Sequence, residues 1–212
     1  SASLEIVTFN AEGFPKAGYT SVTTLAALIK TINPDVVALQ EVASKADFER
    51  LVKLLPGWSG YFNRTNNDEW NLAYLFKTSE IEVETSSETL LFTGDTWAFP
   101  RSPYEIKVKY KPSAVEFYLI NLHLKCCSGT DNENSRKSAS VKLKNYLDSS
   151  RPNDKVVILG DYNDEISGTS VSENQYYQDM DSYFSKLESI FNDPLNPISD
   201  KEDPSSSGGL NN

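Results

Sequence analysis

The 212-residue chain has no long hydrophobic run and few basic residues. No apolar stretch approaches the roughly 20 residues of a membrane-spanning helix, which argues against a transmembrane segment. Lysine and arginine number 20 against 30 aspartates and glutamates, for a formal net charge of −10. Because nucleic-acid backbones attract basic surfaces, this balance argues against a simple nucleic-acid binder. Hydrophobic residues at 39% and charged residues at 24% suit one globular domain that can bury a core.

Cysteine and histidine are also scarce. The only two cysteines are consecutive, Cys126 and Cys127, and the only histidine is His123. Consecutive cysteines can close a strained disulfide ring, but side chains on a strand point to opposite faces, so separate free thiols are an equal interpretation. Neither state identifies the cellular compartment. The chain starts at Ser1 without a secretory leader, which we interpret as a trimmed or recombinant N terminus.

Four apolar segments of the sequence each end in polar side chains. These polar ends are, in chain order, Asn10; Gln40 and Glu41; Asn121 and His123; and Asp161 and Asn163. Short apolar runs of this kind are typical of buried strands, and active sites of layered α/β proteins collect at strand ends. A strand that ends in an ordinary Asx turn gives the same local pattern, so the set of four ends is what favours a functional site.

Helical and strand patterns alternate between these segments. Apolar periodicity predicts helices over Tyr19–Ile32, Lys45–Leu55, about Ser135–Leu147 and, more weakly, Tyr177–Phe191. Further strands are expected near 60–63, 72–77, 81–91 and 105–110. The alternation predicts an α/β domain in which a pair of mixed sheets packs between helical layers.

The ordered strand ends resemble the endonuclease/exonuclease/phosphatase superfamily, the metal-dependent phosphoesterases related to pancreatic-type deoxyribonuclease. A fifth element, Phe99-Pro100-Arg101-Ser102-Pro103, resembles the Arg-x-Pro segment of its nuclease branch. The resemblance covers essentially the whole chain and implies a four-layer α/β/β/α sandwich of two mixed sheets. The lysine and two cysteines after the histidine strand are similar to exported bacterial members, so we expect a secreted or cell-envelope protein.

The C-terminal Asp-His motif of the family is absent from this chain, which has no second histidine. We therefore expect one domain over residues 1–212 that lacks its last strands and ends in a loop-like polar tail over 199–212. We also expect the chain alone to be poorly active. Two alternatives are a member that has lost its catalytic base and a protein whose missing strands come from another chain.

Glu41 is the best candidate for a metal ligand, because Mg²⁺ in proteins takes one or two carboxylates and keeps water or phosphate oxygens. The resemblance implies that Asn10 shares this metal site and that Gln40 supports it from the second layer. Mg²⁺ is the expected cofactor, with Mn²⁺ or Ca²⁺ as alternatives, because oxygen-rich sites accept all three. Asp164 and Glu165 could contact a second metal, although a solvated turn explains them equally well.

Catalytic roles are implied for His123, Asp161, Asn163 and Asn71. His123 is the candidate general acid/base or transition-state donor, since an imidazole pKa of about 6.5 suits proton transfer at neutral pH. Asp161 would orient the attacking water, and Asn163 would donate to a phosphate oxygen. The imidazole needs a partner on its other nitrogen, which the family supplies at the position of Asn71, with Glu69 as the fallback.

Arg101 is expected to bind a substrate phosphate through its planar fork, assisted by Asn163 and Asn121. A basic rim near the site could come from four lysines: Lys107, Lys109, Lys111 and Lys125. Ordinary solvated strand faces are the simpler interpretation of each lysine.

These residue types together indicate a metal-dependent endonuclease that hydrolyses phosphodiester bonds of DNA or RNA by in-line attack of water. A nucleic acid is therefore the expected partner. Two alternatives stay open: a phosphatase or phosphodiesterase acting on lipid or sugar phosphates, and an eroded, non-catalytic binding module. The core motifs are shared across these classes, so the substrate is the least determined part of the prediction.

Overall fold

The computed structural model describes residues 3–64 and 70–164, which form nine strands and three helices. The strands are β1 Ile6–Phe14, β2 Val36–Val42, β3 Trp58–Asn63, β4 Asn71–Lys77, β5 Ile81–Val83, β6 Thr89–Leu90, β7 Tyr104–Tyr110, β8 Val115–His123 and β9 Val156–Asp161. The helices are α1 Tyr19–Ile32, α2 Lys45–Lys53 and α3 Thr130–Ser150.

The strands form two mixed sheets. The first sheet has the order β1-β2-β4-β3, in which β1 and β2 are parallel and the other neighbours are antiparallel. The second has the order β5-β7-β8-β9, with β6 also paired to β7, and its parallel pair is β8 and β9. Each sheet thus contains one parallel pair that contributes two of the polar strand ends.

Three apolar clusters separate four layers of secondary structure. The first cluster packs α1 and α2 on the outer face of the first sheet and includes Leu25 and Leu39. The second lies between the sheets and includes Tyr74 and Ile106, while the third packs Leu143 of α3 on the outer face of the second sheet. The predicted four-layer α/β/β/α sandwich is therefore confirmed.

The helices begin and end where the local sequence favours it. Leu25 and Ile29 lie one turn apart on the buried face of α1, as the apolar periodicity requires. This helix is followed by Asn33 in a left-handed conformation with a φ of 54°, which asparagine tolerates better than most residues. Helix α2 begins after Ser44, whose side chain accepts a hydrogen bond from the backbone N–H of Asp47.

Three predicted elements have different bounds in the structure. Strand β1 continues beyond its predicted polar end, through an irregularity at Glu12 and Gly13 with φ values of 47° and 70°. The strand expected over 81–91 is divided into β5 and β6. Helix α3 starts earlier than expected, since Asp131 and Glu133 in its first turn favour a helix N terminus.

The predicted helix over 177–191 and the polar tail over 199–212 lie outside the described residues. The expectation of a domain that lacks its last strands concerns this same part of the chain and stays a prediction. None of the helices in the described part combines the length and apolar character that a membrane crossing requires.

Candidate active site

The polar strand ends meet at one end of the sandwich. Asn10 is in register with Gln40 in the parallel pair of the first sheet, and His123 with Asp161 in that of the second. The amide of Asn10 donates to Oδ2 of Asp161 at 2.8 Å and so joins the two sheets directly. The convergence of strand ends that the sequence indicated is therefore present.

Glu41, His123 and Asp161 form the centre of this site. One ligand atom of each lies within 4.8 Å of the ligand atoms of the other two. Nε2 of His123 is 3.7 Å from Oε1 of Glu41 and 3.7 Å from Oδ2 of Asp161. Two carboxylate oxygens and an imidazole nitrogen around one point are a donor set that suits a divalent cation.

An irregular backbone brings Glu41 to this point. The pairing of β2 with β4 shifts register within 39–42, and Glu41 has a φ of 58°. Positive φ is uncommon for a residue with a long side chain and is found preferentially at functional sites. Successive strand residues normally point to opposite faces. The irregularity lets Gln40 and Glu41 both lie on the side of the second sheet, beside Asn121 and His123 respectively.

Asn10 bridges the two carboxylates through its nitrogen. Nδ2 donates to Oε1 of Glu41 at 2.9 Å and to Oδ2 of Asp161 at 2.8 Å. Its Oδ1 accepts a hydrogen bond from the backbone N–H of Glu12 at 2.9 Å. In this arrangement the amide nitrogen of Asn10, and not its oxygen, faces the acidic centre, and its role as a metal ligand stays a prediction.

His123 is buried, with 2% of its surface exposed. Its Nδ1 has no hydrogen-bond partner among the residues that the structure describes. Burial, and then the nearby charge of Arg101, lower the pKa of His123 to about 4, while Asp161 opposes the shift. The pKa of His123 therefore lies below that of a free imidazole, which favours the neutral form at neutral pH.

Asn71 begins β4, is buried, and donates from Nδ2 to the carbonyl of Val42 at 3.0 Å. Its role as the orienting partner of His123 stays a prediction. The aromatic neighbour of the imidazole is Trp70, whose ring lies edge-on at 6.4 Å between centroids. The fallback partner, Glu69, lies outside the described residues.

Asn121 and Gln40 form hydrogen bonds that connect the two sheets. Nδ2 of Asn121 donates to carbonyls of β2 and β4 at 2.9 and 3.2 Å, and its Oδ1 accepts from Nε2 of Gln40 at 2.7 Å. Both residues are buried, and the contact of Asn121 with a phosphate stays a prediction. Gln40 supports the site by donating from Nε2 to Asn121 and to Thr8.

The carbonyl of Leu124 anchors the two other residues predicted to bind phosphate. Nη1 of Arg101 and Nδ2 of Asn163 each donate to this oxygen at 3.1 Å. Asn163 occupies a turn with a φ of 52°, and its N–H donates to Oδ1 of Asp161 at 2.9 Å. The structure therefore places Arg101 and Asn163 together, directly beside the acidic centre.

Arg101 carries an unpaired donor in this environment. Only 9% of the residue is exposed, and its Nε has no hydrogen-bond partner in the ranges 3–64 and 70–164. Burial lowers the pKa of Arg101, an effect opposed by Cys126, Glu41 and Asp161. A buried guanidinium N–H without an acceptor is costly, and an anionic oxygen is the partner that would satisfy it best.

Arg136 is a buried residue that sequence reasoning missed. Its Nε donates to Oδ2 of Asp164 at 2.8 Å, and its Nη1 donates to the carbonyls of Lys125 and Cys127 at 3.0 Å each. Asp164 is thus ion-paired, and its contact with a second metal stays a prediction. The sequence did not indicate this role, because an arginine within a polar helix is usually exposed and the contacts of Arg136 come from loops that pack over the helix.

Three of the four lysines considered for a basic rim lie away from the site. In the pairing of β7 with β8, Tyr104 is opposite Asn121 at the site end. Lys107 and Lys109 lie farther along the strand, and Lys111 follows its far end. Lys107 is paired with Glu84 at 2.7 Å and with Glu116 at 3.1 Å. The prediction that these three lysines contribute to a basic rim is therefore wrong, and of the four only Lys125 adjoins the site.

The sandwich and its acidic strand ends define a class of layered α/β proteins with a candidate divalent-metal site between two sheets. A sequence model of the Endonuclease/Exonuclease/phosphatase family matches residues 7–197, and the chain belongs to that family. Among curated protein sequences, none matches the chain significantly. The family expected from the strand ends is therefore confirmed.

Solved structures share the fold at low sequence identity. TDP2 of D. rerio, complexed with a single-strand DNA product, is 20% identical with a TM-score of 0.62, over 78% of this chain and 62% of that chain. The mannosyl-6-phosphatase of Bacteroides thetaiotaomicron is 15% identical with a TM-score of 0.62, over 85% and 71%. The human Nocturnin catalytic domain with a bound sulfate is 17% identical with a TM-score of 0.58, over 82% and 67%. The chain spans 63% and 62% of two D. rerio TDP2 structures.

Proposed function

We propose that the protein is a metal-dependent phosphodiesterase that hydrolyses DNA or RNA by in-line attack of water. The observation that carries the proposal is the convergence of Glu41 from the first sheet with His123 and Asp161 from the second, within 4.8 Å. Membership of the family supports phosphoester chemistry. The DNA product bound to the similarly folded TDP2 supports a nucleic-acid substrate.

Glu41 and Asp161 would hold a divalent cation, for which we propose Mg²⁺, with Mn²⁺ or Ca²⁺ as alternatives. The residues fit such an ion, because the carboxylates of Glu41 and Asp161 both lie beside the Asn10 amide and the Nε2 atom of His123. Oxygen donors suit Mg²⁺, Mn²⁺ and Ca²⁺ alike. When bound, the cation would polarise the phosphoryl group and stabilise the leaving oxygen.

The chain's own groups orient the water and bind the phosphate. Asp161 is held at both carboxylate oxygens, by the N–H of Asn163 and the amide of Asn10, so it presents a fixed acceptor to the attacking water. Asn163 uses one amide N–H on Leu124, and its second N–H is suited to a non-bridging phosphate oxygen. Arg101 supplies a positive charge next to the phosphate. The buried His123 supplies a neutral nitrogen.

A small phosphoester is the second candidate substrate, and the charge of the chain favours it. The net charge is −10, and Lys107 is neutralised by Glu84 and Glu116 far from the site. Attraction of a long nucleic-acid backbone is therefore weak, whereas one phosphate needs only the local Arg101 and the cation. The mannosyl-6-phosphatase of the same fold supports this alternative.

Two assays separate these functions: nicking of supercoiled plasmid, and release of phosphate from a sugar phosphate. Each assay is run with Mg²⁺ and then with EDTA. We expect slow, EDTA-sensitive nicking by the wild-type protein that Glu41→Gln abolishes. The matched control is Glu49→Gln, which changes an exposed glutamate of α2 and should leave the rate unaltered. Phosphate release without nicking would favour the small phosphoester. Hydrolysis that persists in EDTA or in Glu41→Gln would contradict both functions.

A further inference from the structure

Cys126 and Cys127 lie in the loop after β8, beside the candidate site. Both are free thiols, and their Sγ atoms are 2.7 Å apart, so that either thiol can donate a hydrogen bond to the other. Strand geometry would separate these side chains, but β8 ends at His123, and Cys127 has a φ of 78°. The two sulfurs therefore need only a small movement to reach the bond length of about 2.05 Å of a disulfide.

The backbone on both sides of Cys126 is tied to the site. Arg136 donates to the carbonyls of Lys125 and Cys127, which flank Cys126, at 3.0 Å each. The carbonyl of Leu124, the residue before Lys125, accepts hydrogen bonds from Arg101 and Asn163, the two side chains proposed to bind phosphate. The N–H of Leu124 donates to the carbonyl of Asp161 at 2.9 Å. A change at the cysteine pair therefore acts on a short segment that is hydrogen-bonded to both Arg101 and Asn163.

We infer that Cys126 and Cys127 are a redox modification site, where a reversible disulfide between neighbouring residues controls the adjacent phosphate-binding groups. A small-molecule disulfide, such as glutathione disulfide, is the oxidant. The thiolate of Cys126 attacks one of its sulfurs and releases one glutathione thiolate. Cys127 then loses its proton and attacks the Cys126 sulfur, which releases the second glutathione. The protein loses two protons and two electrons, and the glutathione disulfide becomes two thiols.

The order of attack follows from the hydrogen bond between the thiols. This bond with Cys126 raises the pKa of Cys127, so Cys127 keeps its proton longer. A disulfide between consecutive residues closes a ring that is smaller than unstrained disulfide geometry allows, and strained disulfides are readily reduced. The pair therefore has the properties of a reversible disulfide and not of a permanent structural one.

Strain in the closed ring should reach the site through Leu124. Arg136 restrains the loop on the α3 side, so part of the displacement passes to the Leu124 carbonyl and to the groups that donate to it. Misplacement of substrate-positioning groups by about 1 Å commonly costs up to a hundredfold in rate. We therefore expect oxidation to lower phosphoester hydrolysis by roughly tenfold to a hundredfold. This last step rests on the proposed function.

Mass spectrometry of the full chain tests the chemistry without any activity measurement. After equilibration with glutathione disulfide, the wild type should be lighter by two hydrogen atoms and should resist alkylation, and dithiothreitol should reverse both changes. Cys126→Ser and Cys127→Ser are the matched controls and should remain alkylatable or carry glutathione. A wild type that carries only glutathione adducts, or that stays fully alkylatable, would overturn the inference.

Hydrogen exchange then tests the coupling. On oxidation, the amide of Leu124 should exchange roughly tenfold faster, because strain of this kind weakens its bond to Asp161. A double variant, Cys126→Ser with Cys127→Ser, can form neither a disulfide nor a glutathione adduct and should exchange at the same rate with or without the oxidant. A disulfide that forms without altering exchange at Leu124 would contradict the coupling. If exchange changes while neither redox form hydrolyses any phosphoester, the proposed function fails and the redox site stands.

Discussion

Replacing Asn121 with alanine should destabilise the fold, and it separates a structural role from a substrate-binding one. The side chain makes three buried hydrogen bonds, two to carbonyls of the first sheet and one from Gln40. Each contributes about 1 kcal/mol net, so we expect Asn121→Ala to lower the free energy of unfolding by about 3 kcal/mol. That loss corresponds to a fall of roughly 6–12 °C in Tm for a chain of this size.

Urea unfolding of the wild type and the variant measures this difference as a shift in midpoint at constant m-value. Asn153→Ala, at an exposed turn position, is the control and should change stability by less than about 0.5 kcal/mol. If Asn121 contacted a phosphate, its removal would abolish hydrolysis and leave stability intact. Unaltered unfolding of Asn121→Ala would therefore refute the assignment of a cross-sheet role.

Three further substitutions test other parts of the structure by the same unfolding measurement. Gly160→Ala should be strongly destabilising, because the glycine has a φ of 140° and an added Cβ would lie 2.0 Å from the carbonyl oxygen of Leu122 in β8. Gly94→Ala is the control: a Cβ at Gly94 would meet no atom within 4 Å, so stability should be nearly unchanged. Arg151→Ala should cost about 3 kcal/mol, since it removes the positive charge paired with the buried carboxylate of Glu105 and leaves that carboxylate with the neutral hydroxyl of Tyr146. A loss below about 1 kcal/mol would show that this ion pair contributes little. The lowered pKa of His123 means that the unfolded chain binds the proton more tightly, so without metal, stability should fall as pH drops from about 6.5 to about 4. His123→Gln should remove that part of the pH dependence, and an identical slope in the variant would contradict it.

Local sequence pattern predicted the fold because each element carries its own signal. The bounds of α1 follow from apolar residues spaced one turn apart, and they agree with the prediction at both ends. The strand ends were recognisable because each apolar run stops at a polar residue, and Glu41, His123 and Asp161 do lie together. Their chain order, together with the family pattern, was enough to predict the four layers.

The roles of individual polar residues could not be predicted in the same way. Asn121 and His123 are two residues apart on β8 and share one face of the sheet, yet Asn121 lies deeper, against carbonyls of the other sheet. The direction of the Asn10 amide depends on a backbone N–H two residues later. The pKa of His123 depends on burial by elements distant in sequence. None of these properties is encoded in the local pattern.

Calorimetric titration of the protein with Mg²⁺ and Mn²⁺ tests the central claim, that residues from both sheets form one divalent-cation site. We expect a single class of binding site in the wild type, and Glu41→Gln should weaken binding by at least about tenfold, because one of two carboxylate ligands is neutralised. Glu49→Gln should bind like the wild type. Absence of binding in the wild type, or equal affinity in Glu41→Gln, would contradict the claim.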